Sequence, residues 1–194
     1  MAQQTINLGT GNNTGDAEGL RDGGVKMNAN FTELYQKKVG FFDYNDTATT
    51  GTPIVVTGGG GFVFLTNNEL GAFTNKLYPP YGVTDVWDAS LNQFDFNELS
   101  LGSKMHYRID LSLTTTAANQ EVNLSIDLAI GGSAYSLSVA QRQYKTAGAY
   151  PLVISSFVYM GDANTRDNPA KFKISSPNNA TVVVNGWSCY LHIY

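Results

Sequence analysis

Two histidines are the side chains of this sequence best suited to act as bases near neutral pH. A hydrolytic triad would need a nucleophile and an acid placed around His106 or His192, and no nucleophile-elbow pattern is present. Two histidines without a Cys/His/Asp spacing also argue against a zinc site. We therefore expect both histidines at the surface or in an interface. The single cysteine, Cys189, is expected to be a small buried side chain near the end of a strand.

Carboxylates beside turns offer a second kind of chemistry. Two pairs could supply the acid and base of sugar hydrolysis, although that reaction depends on a separation fixed by tertiary structure. The pairs are Asp85 with Asp88 and Asp95 with Glu98. Asp162, Asn164 and Asp167 resemble part of a calcium loop but lack the glycine and terminal glutamate of an EF-hand. Acids beside turns more commonly cap backbone N–H groups, so we expect no catalytic residue, no metal and no cofactor.

Aromatic side chains offer recognition rather than catalysis. The sequence has 11 tyrosines, and aromatic residues are enriched at interfaces and pack on sugar rings. Tyr78, Tyr81 and Trp87 lie near a loop-rich part of the chain, with two prolines between the tyrosines. They are the candidates for contact with a partner or a glycan, and packing in the core is the alternative.

The composition excludes several classes of function. The net charge of -4 and the pI near 5.0 argue against binding a nucleic-acid backbone. The glycine-rich segment 9–15 has the wrong spacing for a phosphate cradle. No signal peptide or membrane span is predicted, so we expect synthesis in the cytoplasm without export. Charged residues make up only 14% of the chain, which suits surfaces that pack against copies of themselves.

The elements that must position these residues are strands. In the runs Met105–Leu113 and Val122–Ile130, apolar residues alternate with polar or small ones, which predicts one apolar and one polar face. We expect the two runs to be antiparallel neighbours. Further segments after Gly40 predict eight to ten strands in one domain with no second helix. They include Pro53–Thr57, a Gly58–Gly61 hairpin loop, a buried strand over Tyr150–Met160 and a turn at Asn185–Gly186.

The strand count and the closing strand resemble the jelly-roll β-sandwich of the tumour-necrosis-factor-like type. The segments that carry this resemblance are Val86 to Phe94 and Gly186 to Tyr194. The resemblance implies a mainly β fold over residues 41–194. It also implies a homotrimer, because many phage fibre tips and decoration proteins use this fold in that form.

Residues 1–40 differ in kind from the rest of the chain. Asp16 is suited to cap a helix, and apolar residues recur at helical spacing as far as about Lys37. Gly23 and Gly24 inside this helix cost roughly 1 kcal/mol each relative to alanine. A helix of this length is marginal alone in water, so we expect it to be ordered by packing on something else.

This segment resembles the N-terminal module of many tailed-bacteriophage appendage proteins, including those of cyanophages. The matching stretches are Ile6–Thr10, Thr14–Asp16, Leu20–Arg21 with Lys26, and Asn28–Tyr35. Residues 17–19 and the Gly23–Gly24 pair depart from the pattern. In such proteins the module attaches the protein to the particle. The resemblance assigns that role to Ile6, Leu8, Leu20, Phe31, Leu34 and Tyr35.

Together these observations predict a non-enzymatic structural protein of a phage virion. It would be a compact trimeric fibre or decoration protein that attaches to capsid, tail or fibre proteins through its N-terminus. The sandwich would project outward and contact a host-surface glycan if it recognises a host. Two alternatives remain open, a polysaccharide-degrading enzyme carried on the particle and a carbohydrate-binding module without virion attachment.

Overall fold

The computed structural model describes residues 5–7 and 19–194, apart from the side chains of Leu20, Glu33 and Tyr35. The chain divides into two compact units, Met1–Lys37 and Lys38–Tyr194. Among the residues assigned to attachment, Leu8 lies outside the described part, as do the side chains of Leu20 and Tyr35. The Asp16 cap also lies outside it.

The first unit contains the predicted helix as α1 (Leu20–Tyr35). Gly23 is buried, and a methyl group in its place would lie 3.4 Å from Cγ2 of Ile6. Lys26 Nζ donates a hydrogen bond to the Thr5 carbonyl oxygen at 3.2 Å. Because Gly23 has no side chain, the segment that contains Thr5 and Ile6 can lie close to the helix. This close approach explains why one of the two glycines occurs inside α1.

The second unit consists of twelve strands and two one-turn helices. In chain order they are β1 (Val39–Asn45), α2 (Ala48–Gly51), β2 (Ile54–Val56), β3 (Phe62–Phe64), β4 (Asn75–Tyr78), β5 (Trp87–Asp88), β6 (Gln93–Phe94), β7 (Lys104–Thr115), β8 (Gln120–Leu128), β9 (Tyr135–Tyr144), β10 (Gly148–Tyr159), α3 (Ala163–Asp167), β11 (Lys171–Ser175) and β12 (Ala180–His192). The expectation of no second helix was wrong. An aspartate side chain accepts a hydrogen bond from the third following N–H at each short helix, Asp46 at α2 and Asp162 at α3.

The strands form two facing antiparallel sheets. The larger sheet has the order β10-β7-β12-β1-β4, with β2 added to β12, and the smaller has the order β3-β11-β8-β9. Strands β5 and β6 form a separate ribbon. The chain passes between the sheets six times, from β2 to β3, β3 to β4, β7 to β8, β9 to β10, β10 to β11 and β11 to β12. This is the jelly-roll form of the β-sandwich, which confirms the predicted fold class.

The two long alternating runs are strands, but they are not neighbours. Strand β7 pairs with β10 and β12, whereas β8 pairs with β9 and β11 in the other sheet. Their apolar faces, such as Ile109 on β7 and Ile126 on β8, are fully buried in the core cluster. Alternation predicts which side of a strand faces the core, but a strand has that same pattern whichever sheet it joins.

Three other local predictions also differ from the structure. The predicted interior strand is β10, which forms an edge of the larger sheet and exposes alternate residues. Gly58–Gly61 is not a hairpin loop, because β2 and β3 belong to different sheets. Asn185–Gly186 is not a turn but a bulge in the continuous strand β12, opposite Asp110 of β7.

Aromatic rings join the sheets at the centre of the core. Phe94 lies 4.9 Å from Trp87 and 5.2 Å from Phe172 between ring centroids. Trp187 of the larger sheet lies 4.6 Å from Trp87. The β5–β6 ribbon therefore supplies rings that fill the space between β11 of the smaller sheet and β12 of the larger one. These ring contacts hold the two sheets together in the core.

Candidate functional site

The acidic residues that are the candidates for sugar hydrolysis line one shallow cleft beside the β5–β6 ribbon. Each accepts hydrogen bonds from nearby backbone. Asp88 Oδ1 accepts from the N–H groups of Ser90 and Leu91 and from the Ser90 hydroxyl. These bonds, the Ser90 hydroxyl first, lower the pKa of Asp88. Asp88 therefore stabilises the turn that follows it through hydrogen bonds.

The other members of this cleft have similar partners. Glu98 Oε2 accepts from the Thr84 N–H at 2.5 Å, and Asp95 Oδ1 accepts from the Asn97 N–H at 2.9 Å. Asp85 Oδ1 accepts from the Tyr44 hydroxyl at 2.6 Å. These carboxylates therefore stabilise the local fold through hydrogen bonds.

The remaining candidates for chemistry are dispersed. His106 and His192 are both exposed, as expected of surface residues. Cys189 is fully buried, and burial raises the pKa of its thiol far above the usual range, so the thiol stays protonated. Asp162 caps α3 by accepting from the Thr165 N–H at 2.7 Å. Within the described residues, no group of three or more His, Cys, Asp or Glu side chains is arranged to hold a metal ion.

The most prominent feature of the surface is a row of rings on the outer face of the larger sheet. One residue from each of five adjacent strands occupies the same register. In the order β10-β7-β12-β1-β4 they are Phe157, His106, Tyr190, Phe41 and Tyr78. We call this row the aromatic ladder. Four strand spacings give it a length of about 19 Å.

Alternation along each strand places these rings outside. On β12 the buried residues Cys189 and Leu191 flank Tyr190, which is 50% exposed. Phe157 on β10 is 57% exposed, and Tyr78 on β4 is 49% exposed. Each ring therefore occupies a position at which a solvated face would ordinarily carry a polar side chain.

Direct contacts order the two ends of the aromatic ladder. Phe41 and Tyr78 stack with ring centroids 5.4 Å apart and planes inclined by 19°. At the other end the centroids of His106 and Phe157 lie 5.6 Å apart at 36°. Cross-strand aromatic pairs of this kind stabilise a sheet and hold the rings in place.

Polar residues border the aromatic ladder on one side. The next row across the same strands contains Ser155, Arg108, Ser188, Asp43 and Asn75. Arg108 is held by Asp110 two residues along β7, with an N–O distance of 2.9 Å. The surface thus combines a continuous apolar strip with a hydrogen-bonding margin, which is the usual anatomy of a recognition surface.

The aromatic ladder continues around the open side of the sandwich, where β9 and β10 are the edges of the two sheets. A cleft between these edges is lined by Tyr135 and Leu137 of β9 and by Phe157 and Tyr159 of β10. All four are exposed. Because Phe157 belongs to both the cleft and the aromatic ladder, the two form one apolar surface over the edge and face of the sheet.

The structure separates the three aromatic residues singled out in the sequence. Tyr78 is the last ring of the aromatic ladder. Tyr81 is 56% exposed but lies outside it. Trp87 is only 4% exposed, and its Nε1–H donates to the Asn67 carbonyl oxygen at 3.0 Å. Trp87 is therefore a core residue, and its assignment to a contact surface was wrong.

Sequence reasoning missed Phe41, Phe157 and Tyr190 as surface residues. The available signal was an aromatic residue at the polar position of an alternating strand, as in Cys189-Tyr190-Leu191. The register that aligns the rings depends on pairings between β10 and β7 and between β12 and β1. Those pairings join residues far apart in the sequence.

In the first unit the described attachment residues have different environments. Ile6 is partly buried beside Gly23. Phe31 is 50% exposed and Leu34 is 73% exposed on α1. Their assignment to attachment stays a prediction. No helix in the described part of the chain is both long enough and apolar enough to cross a membrane.

Comparisons with known proteins show similarity only at the level of the solved structures. No protein-family model matches the chain, and no curated protein does. T=1 particles derived from infectious bursal virus match 82% of this chain and 32% of theirs, with 10% identity and a TM-score of 0.46.

Two shorter proteins also match. PRD1 vertex protein P5 matches over 80% of this chain and 72% of its own, at 12% identity and a TM-score of 0.35. Eiger TNF from S. frugiperda matches over 82% and 94%, at 7% identity and a TM-score of 0.37. The chain thus spans about a third of the bursal-virus protein. With TM-scores below 0.5, these similarities carry no argument about function.

Proposed function

We propose that this chain is a structural protein of a virus particle and that it self-associates as a homotrimer through the aromatic ladder. The observation that carries the proposal is the exposed row of five rings on one sheet face. The four Phe and Tyr rings of the row are between 36% and 57% exposed and leave on the order of 400 Å² of largely apolar surface in contact with water. The largest apolar patch of a soluble monomer is typically about 300–600 Å² and is often functional.

The shape of the surface favours copies of the chain as the occupant. The face carries the aromatic ladder, and the neighbouring edge carries the apolar cleft between β9 and β10. If the edge of one copy packs on the face of the next, both surfaces are covered at once. Such a contact joins two different patches and closes into a ring when the rotation between copies permits it. The number three comes from the resemblance to trimeric jelly-roll proteins.

The free edge of β9 supports the same occupant. Among the described strands, this ten-residue strand pairs only with β8, and Arg142 is its one charged residue. Strand β10, at the edge of the other sheet, has no charged residue. Soluble proteins usually protect exposed edges with charge, proline, bulges, short strands or a covering element. Here β9 has one irregularity in its pairing with β8, and Pro151 lies near the start of β10, but the eight residues of β10 after it carry no charge. A neighbouring copy would provide that cover here.

The N-terminal segment would attach the trimer to other virion proteins, and the sandwich would project from the particle. This role rests on the resemblance of residues 6–35 to phage appendage modules. The exposed apolar side chains of Phe31 and Leu34 on α1 suit a helix that packs on a partner. Assignment to a tail fibre, a head decoration or a cyanophage rests on the same resemblance.

Light scattering on the full chain at micromolar concentration tests the trimer. The expected mass is three times 21.0 kDa. The double substitution Phe157→Ser/Tyr190→Ser should yield a monomer with an unchanged circular dichroism spectrum, because both side chains lie outside the core. Val55→Ser is the matched control, since Val55 is 64% exposed on the same sheet but outside the aromatic ladder. A monomeric wild-type chain, or a trimer that ignores the double substitution, would refute the proposal.

Recognition of a glycan is the second candidate function for this surface. The row of rings beside Arg108, Ser188 and Asp43 combines stacking surfaces with hydrogen-bonding groups, as sugar recognition requires. Binding of host envelope polysaccharide by a monomeric wild-type chain, abolished by Tyr190→Ser, would favour this candidate over self-association. Release of reducing ends in the same incubation would favour the polysaccharide-degrading alternative.

A further inference from the structure

We infer that His106 makes the self-association of this chain dependent on pH, so that the assembly loosens when the imidazole takes up a proton. The inference rests on the proposed function, because it requires a neighbouring copy to cover the aromatic ladder. Imidazole is the side chain that ordinarily changes charge between about pH 5 and 8. A histidine in an otherwise uncharged row of rings is therefore the position at which mild acid alters this surface.

His106 lies between two rings of the proposed interface. It pairs in register with Phe157 on β10 and with Tyr190 on β12. Its ring lies 5.6 Å from that of Phe157. A copy that covers these two neighbours must also cover the imidazole between them. Covering removes water from the ring and so disfavours its charged form.

The charges around His106 on its own sheet reinforce this effect. Lys104 and Arg108 flank it on the same face of β7. On β12, His192 pairs in register with Lys104. Lys104 and Arg108 are cationic, so a proton on His106 lies between two like charges, of which Arg108 is partly compensated by Asp110.

Carboxylates near this row do not offset the effect. Asp110 on β7 is paired with Arg108 at 2.9 Å. Asp43 lies on β1, two strands from β7, and is aligned with Ser188 rather than with the row of His106. Burial raises the pKa of Asp43, which weakens its ability to hold a counter-charge. On β10 the titratable neighbour is the phenol of Tyr159, aligned with Lys104.

The edge proposed to pack on this face supplies no carboxylate from its strands. Strand β10 has no charged residue, and β9 contributes only Arg142. The sign of the effect follows. The separated copies accept a proton more readily than the assembled ones, so assembly weakens in mild acid. Excluding the proton weakens association by up to about tenfold per protomer for each pH unit of acidification.

The experiment measures the mass of the full chain by light scattering at about pH 8 and about pH 5.5. The expected result is a trimer that dissociates in acid at a concentration where it is stable at the higher pH. His106→Phe keeps a ring in the row and removes the titration, so it should remain trimeric in acid. His106→Gln, which also cannot take up a proton there, provides a second variant should the phenylalanine disturb the packing. His192→Phe is the control, and it should dissociate as the wild type does.

Each outcome has a distinct meaning. A wild-type chain that is monomeric at both pH values overturns the proposed trimer itself. A trimer of equal stability at both pH values leaves the proposed function standing and overturns this inference. Acid dissociation that persists in both His106 variants overturns the assignment to His106, whatever the His192→Phe variant does.

Discussion

The rings of Phe41 and Tyr78 stack at 5.4 Å across the last two strands of the larger sheet. Phe41 belongs to a strand paired along its whole length with β12, whereas Tyr78 ends the short edge strand β4. The stack therefore helps to fix the outermost ring of the aromatic ladder at the end of a short edge strand. A fixed ring loses less conformational entropy on binding than a mobile one.

Replacing Tyr78 by serine should weaken self-association without unfolding the chain. The substitution removes an exposed ring from the end of the row and leaves the core intact. We expect a loss of about 1–2 kcal/mol in association, or roughly tenfold in the dissociation constant, as for an aromatic side chain at an interface. Sedimentation equilibrium of the two proteins measures this difference.

Tyr81→Ser is the matched control for that experiment. Tyr81 is exposed to a similar extent and lies three residues away, but it is not part of the aromatic ladder. Its substitution should leave the dissociation constant unchanged. Equal effects of the two substitutions would show that the row of rings is not what the copies recognise.

The two tryptophans provide a second matched pair. Both tryptophans are buried, and the centroids of their rings lie 4.6 Å apart. They differ in hydrogen bonding, because Trp87 Nε1–H donates to the Asn67 carbonyl oxygen. Trp187 Nε1 has no hydrogen-bond partner among the described residues. Trp87→Phe should therefore cost about 1–2 kcal/mol more in the free energy of unfolding than Trp187→Phe, because it leaves a buried carbonyl unpaired. Urea unfolding of both variants measures the difference, and equal losses would contradict it.

The sequence predicted the fold class because alternation is a local property. Ile109 and Ile126 each lie in an unmistakably two-sided run, so each was correctly assigned to a strand with one face in the core. Their placement in opposite sheets depends on partners such as Trp187, which pairs with Ile109 from 78 positions further along the chain. No local pattern specifies a partner at that distance.

The site was predicted in part for the same reason. Tyr78 and Tyr81 were named as contact candidates because they lie near a loop-rich part of the chain, and both are exposed. Trp87 was placed with them because it is close in sequence. Its burial is decided by Asn67 and Trp187, which meet it only in the folded chain.

Gln120 should be a large contributor to stability at one end of the sandwich. Its buried amide Nε2 donates to Ser176 Oγ and to the carbonyl oxygens of residues 178 and 179. Its Oε1 accepts from the N–H groups of Thr116 and Ala117. One side chain thus ties together the β7–β8 and β11–β12 connections.

Replacing Gln120 by alanine leaves several of these buried groups unpaired, so we expect a loss of about 2–4 kcal/mol in the free energy of unfolding. Chemical denaturation measures it. Gln141→Ala is the control, since Gln141 is exposed on β9, and its effect should stay within about 0.5 kcal/mol. Similar losses at the two positions would contradict the role assigned to Gln120.

Alkaline conditions should destabilise the sandwich through Tyr44. Its hydroxyl is buried and donates to Asp85 Oδ1 at 2.6 Å, and burial, together with nearby negative charge, raises the pKa of Tyr44 far above its usual range. The unfolded chain therefore loses this proton at a lower pH than the folded one. The stability that Tyr44 contributes is fully present below about pH 10 and is lost above it, by about 1.4 kcal/mol at pH 11.

Tyr44→Phe separates this contribution from the others. At neutral pH the variant should be less stable by about 1.5–3 kcal/mol, the value of a hydrogen bond to a charged group. Between about pH 9 and 11 its stability should fall less steeply than that of the wild type. Tyr81→Phe, at an exposed position, should follow the wild-type curve. Parallel curves for the wild type and Tyr44→Phe would contradict the assignment.

Removing residues 1–37 should leave a folded sandwich that no longer joins the particle. The cut keeps Lys38, whose carbonyl oxygen accepts from the Ile193 N–H at 2.8 Å, and it keeps all of β1, which begins at Val39. The expected domain boundary at residue 40 would remove two residues of that strand, Val39 and Gly40, which pair with His192 and Leu191. The truncated chain should therefore unfold cooperatively at the same temperature as the sandwich of the full chain, as followed by circular dichroism.

Incorporation into particles is the readout that separates attachment from folding. The full-length double variant Phe31→Ser/Leu34→Ser removes two exposed apolar side chains of α1 and should reduce incorporation as the truncation does. Val25→Ser is the control, because Val25 is also exposed on α1 but lies away from the side of the helix that carries Phe31 and Leu34. Particles that retain the truncated chain at wild-type levels would show that the sandwich alone is sufficient for assembly. In that case the first unit would have another role.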